Sequence, residues 1–171
     1  MIKDEHNTKL INYLTELKET GNYTNLIITG AVGVGKTYLV KEIMQADYFM
    51  DEPHFKQLLV SQGLGLRPSN EYANGFRGYP IELLANSKKI ETVIYDDLGA
   101  VDVSSAYLEK MQYWIDRRNN RKAKTIFTTN LTQDQIFKRD QRLASRIFEN
   151  AKIVSLGGSD RRMNKAQVIN L

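Results

Sequence analysis

The chain has 171 residues, of which 42% are apolar and 26% charged, with a formal net charge of +4 and no cysteine. A chain of this length forms one domain and buries roughly 70% of the surface its unfolded form exposes, and its composition excludes disordered, collagen-like and membrane classes. Without cysteine there is no disulfide framework and no thiolate-ligated zinc, and His6 and His54 are too few and too far apart for a metal cluster.

The first residues, Met1 to Lys9, carry charges of both signs and lead into no apolar run of signal-peptide or membrane-spanning length, so the expected site of action is cytoplasmic and away from membranes. Leu10, Ile11, Leu14 and Leu17 recur at helical spacing before Gly21, which predicts an amphipathic helix over 8–20. Asn25-Leu-Ile-Ile-Thr29 suits a short buried strand that delivers a Gly-rich loop. Leu39, Val40, Ile43 and Met44 then keep helical spacing, placing Lys36 and Thr37 in the first turn of a helix that runs to about Ala46. Periodicity leaves Phe55–Gln62 open between strand and helix.

Glycines and prolines in 63–68 and 74–80 mark irregular loops, and Ile81–Lys88 reads as helical. A second buried strand, Thr92-Val-Ile-Tyr95, ends in Asp96-Asp97. Ser104 or Ser105 can cap a helix whose apolar face is Tyr107, Leu108, Met111, Trp114 and Ile115, with Trp114 in the core. Lys124–Thr129 is a third strand, ending at Asn130. Thr132 opens a helix around Ile136 and Phe137, Leu143–Phe148 forms another, and Lys152–Leu156 is a last strand before a polar tail. Strands alternating with helices define an α/β domain with a largely parallel sheet.

The loop after the first strand fills every fixed position of G-x-x-x-x-G-K-[ST]: Gly30, Ala31, Val32, Gly33, Val34, Gly35, Lys36, Thr37, followed by Tyr38. Glycines let the backbone wrap phosphate oxygens with inward N–H groups, and the helix N-terminus adds partial positive charge. Lys36 reaches the β- and γ-phosphates and the Thr37 hydroxyl ligates Mg²⁺. Glycines at the first, fourth and sixth positions do not fit the dinucleotide fingerprint. Asp96, ending a buried strand, is the candidate carboxylate for Mg²⁺, and Asp97 the candidate that orients or deprotonates water. Two adjacent carboxylates repel unless a cation shares them. Asp96-Asp97-Leu98-Gly99 also spells the D-x-x-G of GTPases, but Asn-Lys-x-Asp is absent, which favours ATP.

Thr128-Thr129-Asn130 looks like the sensor-1 motif of AAA+ ATPases, and Arg142-Leu-Ala-Ser-Arg146-Ile147 resembles the arginine-finger box of their initiator and loader clade. The segment from Ile153 to Arg161 is similar to that group's closing strand. In order, the Gly-rich loop, Asp96-Asp97, Asn130 and Arg146 resemble the DnaC/IstB-type AAA+ proteins: bacterial and phage replicative helicase loaders and transposition helper ATPases.

The resemblance covers residues 25 to about 162. It implies a three-layer α/β/α domain with a mainly parallel five-stranded sheet and no C-terminal lid. Residues 1–24 would form an N-terminal helix and lead-in, in place of a separate helicase-gripping domain, and 25–171 the ATPase domain. It implies catalysis by Lys36, Asp97, Asn130 and Arg146, with Arg142 as the competing finger. The expected partners are further copies of the chain across the Arg146 interface, a replicative helicase or a transposase, and single- or double-stranded DNA.

Arg117-Arg-Asn-Asn-Arg-Lys-Ala-Lys124 holds five cations in eight residues, to be read either as a solvated helix end or as a phosphate-contacting patch. Tyr72, Phe76, Arg77 and Tyr79 could add base stacking or serve as packing anchors. A P-loop kinase, or a binding module that holds nucleotide without hydrolysing it, would use the same loop.

Overall fold

Twelve elements succeed one another along residues 5–63 and 81–157, which the computed structural model describes. The first half holds α1 (Glu5–Thr20), β1 (Asn25–Gly30), α2 (Lys36–Met44), β2 (Tyr48–Asp51) and α3 (Glu52–Gly63). The second holds α4 (Ile81–Asn86), β3 (Thr92–Leu98), α5 (Ser105–Asn120), β4 (Lys124–Thr129), α6 (Gln133–Arg139), α7 (Gln141–Phe148) and β5 (Ala151–Leu156). Among these residues the strands form one five-stranded sheet in the order β2-β3-β4-β1-β5, every neighbouring pair parallel. The expectations for 64–80 and for 158–171, including Tyr72, Phe76, Arg77 and Tyr79, lie outside the described residues.

The central strands are apolar on both faces, as a parallel sheet covered by helices requires. Leu26 and Ile28 of β1, Ile94 of β3 and Ile126 of β4 share a core with Leu14 of α1 and Val40 of α2. Ile27, Tyr95 and Phe127, one residue out of phase, pack on the other side against Phe55, Leu84, Trp114 and Ile147. The period of two along each strand thus supplies two cores, and three layers result. Helix α1 lies in the same core as α2.

Caps fix where helices start. Ser104, not Ser105, caps α5 by accepting from Tyr107 N; Thr132 and Gln135 form a reciprocal capping box on α6; Asp140 caps α7 through Leu143 N. Helix α2 differs: Gly35 is its N-cap residue, with no side-chain cap and no acid in the first turn.

Some elements depart from the sequence reading. The edge strand β2 was not anticipated. Segment 55–62 is helical, because Phe55, Leu58 and Leu59 bury one helical stripe. Helix α4 stops at Asn86, two residues early. The second strand runs on through both aspartates to Leu98.

The charge run at 117–124 is not a uniform solvated end or patch. Arg118 is fully buried. It donates to the carbonyl oxygens of Leu84, Ile90, Glu91 and Lys124 and to Thr125 Oγ1, at 2.8–3.3 Å. Arg121 donates to the carbonyls of Ala85 and Ile90. Burial, and after it the neighbouring Arg121, pull Arg118 down to about 9, still protonated at neutral pH, and Asp47 opposes them. Two of the five cations therefore tie α5 to the α4–β3 connection. No described helix is long and apolar enough to cross a membrane.

Candidate nucleotide-binding site

The Gly-rich loop leaves the C-terminal end of β1, an interior strand between β4 and the edge strand β5. Gly30 is paired with Leu156 of β5, and a Cβ on it would collide with the Leu156 carbonyl oxygen, so only glycine lets β1 turn here. Gly35, at φ 101, has a backbone that L side chains rarely adopt. It turns the chain into α2, whose first N–H groups no side chain caps. Val34 anchors the loop in the core, whereas Val32 and Tyr38 are 52% and 55% exposed on its rim.

Lys36 is 5% exposed and folds back across the loop. Its Nζ donates to the carbonyls of Gly30 at 2.8 Å and Ala31 at 2.9 Å, and to Asn130 Oδ1 at 2.5 Å. Asn130 follows β4, whose Thr128 and Thr129 register with Ile28 and Thr29 of β1. Parallel pairing thus carries residue 130 to the loop although 94 positions separate it from Lys36.

On the other side of Lys36, the Thr37 hydroxyl donates to both carboxylate oxygens of Asp96, at 2.8 and 3.0 Å. Asp96 is 6% exposed. Burial raises its pKa above the usual carboxylate value; hydrogen bonds from Thr128 and Thr37 oppose this, Asp97 adds to it and Lys41 counters it.

Asp96 and Asp97 occupy a β-bulge. Tyr95 pairs with Phe127 and Leu98 with Thr129, so the two aspartates stand opposite Thr128 alone. Asp97 takes a left-handed conformation, φ 55, with an exposed side chain. Thr128 Oγ1 donates to Asp96 Oδ1 at 2.5 Å and accepts from Asp97 N at 3.0 Å, one hydroxyl fixing both residues. Thr129 Oγ1 donates to the Leu98 carbonyl and accepts from Leu131 N. Fully buried Glu52 accepts from Gly99 N and Val101 N and forms an ion pair with Arg139 at 3.0 Å, holding the loop after the bulge.

Lys36–Asn130 and Thr37–Asp96 are therefore two hydrogen-bonded pairs set side by side at the C-terminal edge of the sheet, with Asp97 next to Asp96. Arg146 does not join them. Its side chain, 49% exposed, pairs with Asp116 at 2.8 Å and Glu149 at 3.8 Å. Its carbonyl accepts from Asn25 Nδ2 at the start of β1, one strand length, about 16 Å, from the loop. Arg142 is exposed on the same helix. Sequence reasoning placed Thr128 in a motif but gave it no role of its own, and missed Glu52 altogether. Neither has a local signature, since each works through backbone groups distant in sequence.

The Thr37 hydroxyl and Asp96 carboxylate form an all-oxygen donor pair suited to Mg²⁺. No group of three or more His, Cys, Asp or Glu among the described residues could hold a metal, so further ligands would have to come from bound phosphates and water, the usual arrangement for this ion.

The architecture matches solved structures at low sequence identity. The crystal structure of the DnaC helicase loader superposes with TM-score 0.62 and 18% identity, over 91% of this chain and 92% of that one. DnaI gives 0.63 and 19%, over 92% and 88%. The replication initiator DnaA bound to AMPPCP and single-stranded DNA gives 0.67 and 19%, over 93% of this chain and 49% of that one. No protein-family model matches the sequence, and no curated protein matches it. The chain has the AAA+ P-loop fold, in the form shared by the DnaC, DnaI and DnaA domains.

Proposed function

We propose that this chain is an ATP-binding and ATP-hydrolysing AAA+ protein that assembles head to tail in its ATP state and places a replicative helicase on DNA. The observation that carries this reading is the pairing of two consecutive loop residues with the ends of two other strands, Lys36 with Asn130 after β4 and Thr37 with Asp96 of β3. The likeness to a helicase loader and to an initiator bound to AMPPCP and single-stranded DNA supports the nucleotide and the process.

ATP phosphates would sit in the loop 30–38 against backbone N–H groups and the N-terminus of α2. Lys36 would exchange its carbonyl partners for the β- and γ-phosphates, keeping Asn130 beside the γ-phosphate. Thr37 and Asp96 would hold Mg²⁺, which when bound neutralises phosphate charge. Asp97 would orient and deprotonate the attacking water. Charge developing on the γ-phosphoryl oxygens would meet Lys36 and an arginine from the neighbouring chain. Arg146 suits that role because it lies a strand length from its own loop and is half exposed.

Mass measurement in solution with ADP, a non-hydrolysable ATP analogue and single-stranded DNA tests the whole reading. Larger assemblies with the analogue than with ADP are expected, and a monomer under every condition overturns it.

A further inference from the structure

At the end of the sheet opposite the loop, the segments entering β1, β4 and β5 border an open cavity of about 460 Å³. Lys122, Lys124 and Lys152 line it, together with Asn22 and Asn150, and no carboxylate does. The ammonium group of none of these lysines makes a hydrogen bond or an ion pair among the described residues. Lys124 Nζ stands 5.7 Å over the Tyr23 ring, which positions the ammonium without neutralising it.

Lysines commonly gather where helices end, to complement carbonyl groups. Here those carbonyls have other partners. The end of α1 is closed by Gly21 N on Leu17 O, and that of α5 by Lys122 N on Asn119 O and Ala123 N on Arg118 O. In α7 the Arg146 carbonyl takes the side-chain amides of Asn25 and Asn119. Arg118 and Arg121, nearest in sequence, are occupied by the α4–β3 connection. Three uncompensated ammonium groups around one concavity repel each other unless an anion joins them.

We propose that this cavity binds phosphate groups of a polynucleotide strand, and so is a DNA-backbone contact on the pole of the domain away from ATP. Ammonium groups recognise phosphates as point charges regardless of base. The assignment rests on the reading of the chain as a DNA-associated ATPase and relocates the contact from the arginines of the 117–124 run to Lys122, Lys124 and Lys152.

The test is anisotropy of a fluorescein-labelled oligo-dT across about 50–200 mM salt. It compares the wild type with the triple variant Lys122→Gln, Lys124→Gln, Lys152→Gln and the matching triple Lys→Arg. A fluorescent ATP analogue reports that the nucleotide site is intact. The Gln variant is expected to bind DNA more weakly, with the salt slope shallower by about 0.7 for each lost contact; Arg restores binding and nucleotide affinity stays unchanged. A Gln variant with wild-type DNA affinity and slope overturns the proposal while leaving the ATPase reading standing, and if inorganic phosphate or AMP alone then shifts the lysine NMR signals, the cavity is a small-anion site. A wild type that binds no oligonucleotide in any nucleotide state removes the DNA-binding reading itself.

Discussion

Lys36 Nζ lies 2.5 Å from Asn130 Oδ1, so the cation of the phosphate loop and the amide at the end of β4 are in contact. The two have separable tasks. On the proposed reading Lys36→Ala removes a charge that would meet phosphate in ground and transition states alike, and nucleotide affinity should fall at least about 30-fold. Asn130→Ala should leave affinity within a few-fold while lowering kcat by about 10²–10³-fold, as loss of a polar group aligned on the reacting centre does. Equilibrium titration with a fluorescent ATP analogue and steady-state phosphate release separate the two. Equal loss of affinity in both variants would make Asn130 a binding residue only.

Asp96 makes folding pH-dependent. Its pKa is raised in the folded chain, chiefly by burial. The unfolded chain therefore releases this proton first. The group's contribution to stability is fully present below its ordinary value of 3.8 and is lost as pH rises through the raised value. Asp96→Asn keeps an oxygen for Thr128 and Thr37 and removes the charge. Without nucleotide it should melt higher than wild type at neutral pH, by about 2–4 °C for each kcal/mol relieved. The gain should vanish in acid. Calorimetry between acid and neutral pH checks both limbs, and a variant melting lower than wild type at neutral pH would refute the argument.

Arg118→Ala deletes a fully buried guanidinium and removes the hydrogen bonds it donates to backbone carbonyls of α4, the α4–β3 connection and β4. A loss of about 3–5 kcal/mol is expected in denaturant titration. Arg117→Ala, one residue away but exposed over the Tyr113 ring, should change stability by less than about 0.5 kcal/mol. Similar effects from the two would contradict the burial pattern.

Arg146 acts in trans if the head-to-tail reading holds. Arg146→Ala and Lys36→Ala chains should each be inactive alone. Mixed equally, they should recover activity at about a quarter of sites, where an intact loop meets an intact arginine. Phosphate release from the mixture is the measurement. No recovery, with assembly intact, would exclude a trans role for Arg146.

The phosphate loop was legible in the sequence because its chemistry is local: consecutive residues make the turn, the N–H cradle and the lysine. Asp96 and Asn130 were legible because apolar runs ended at them. Strand β2 was not, since Tyr48–Asp51 is four residues long and sits at a sheet edge, too short for alternation to stand out. Arg118 was misread as part of a charge run, although Met111, Trp114, Ile115 and Arg118 share one face at offsets of three, four and seven. The spacing was visible, but an arginine on an apolar stripe becomes interpretable only once the carbonyls it serves are in place. Thr128 and Glu52 gave no signal, because what they hold is backbone brought near by the fold.

The left-handed backbone of Asp97 bears on how that residue should be probed. Asparagine tolerates this conformation about as well as aspartate, whereas glutamate does not share the preference. Asp97→Asn is thus the substitution that alters charge alone, and Asp97→Glu, though it keeps the carboxylate, would disturb the bulge that also carries Asp96. At this position the change that looks more conservative on paper is the less informative one for testing the proposed role in hydrolysis.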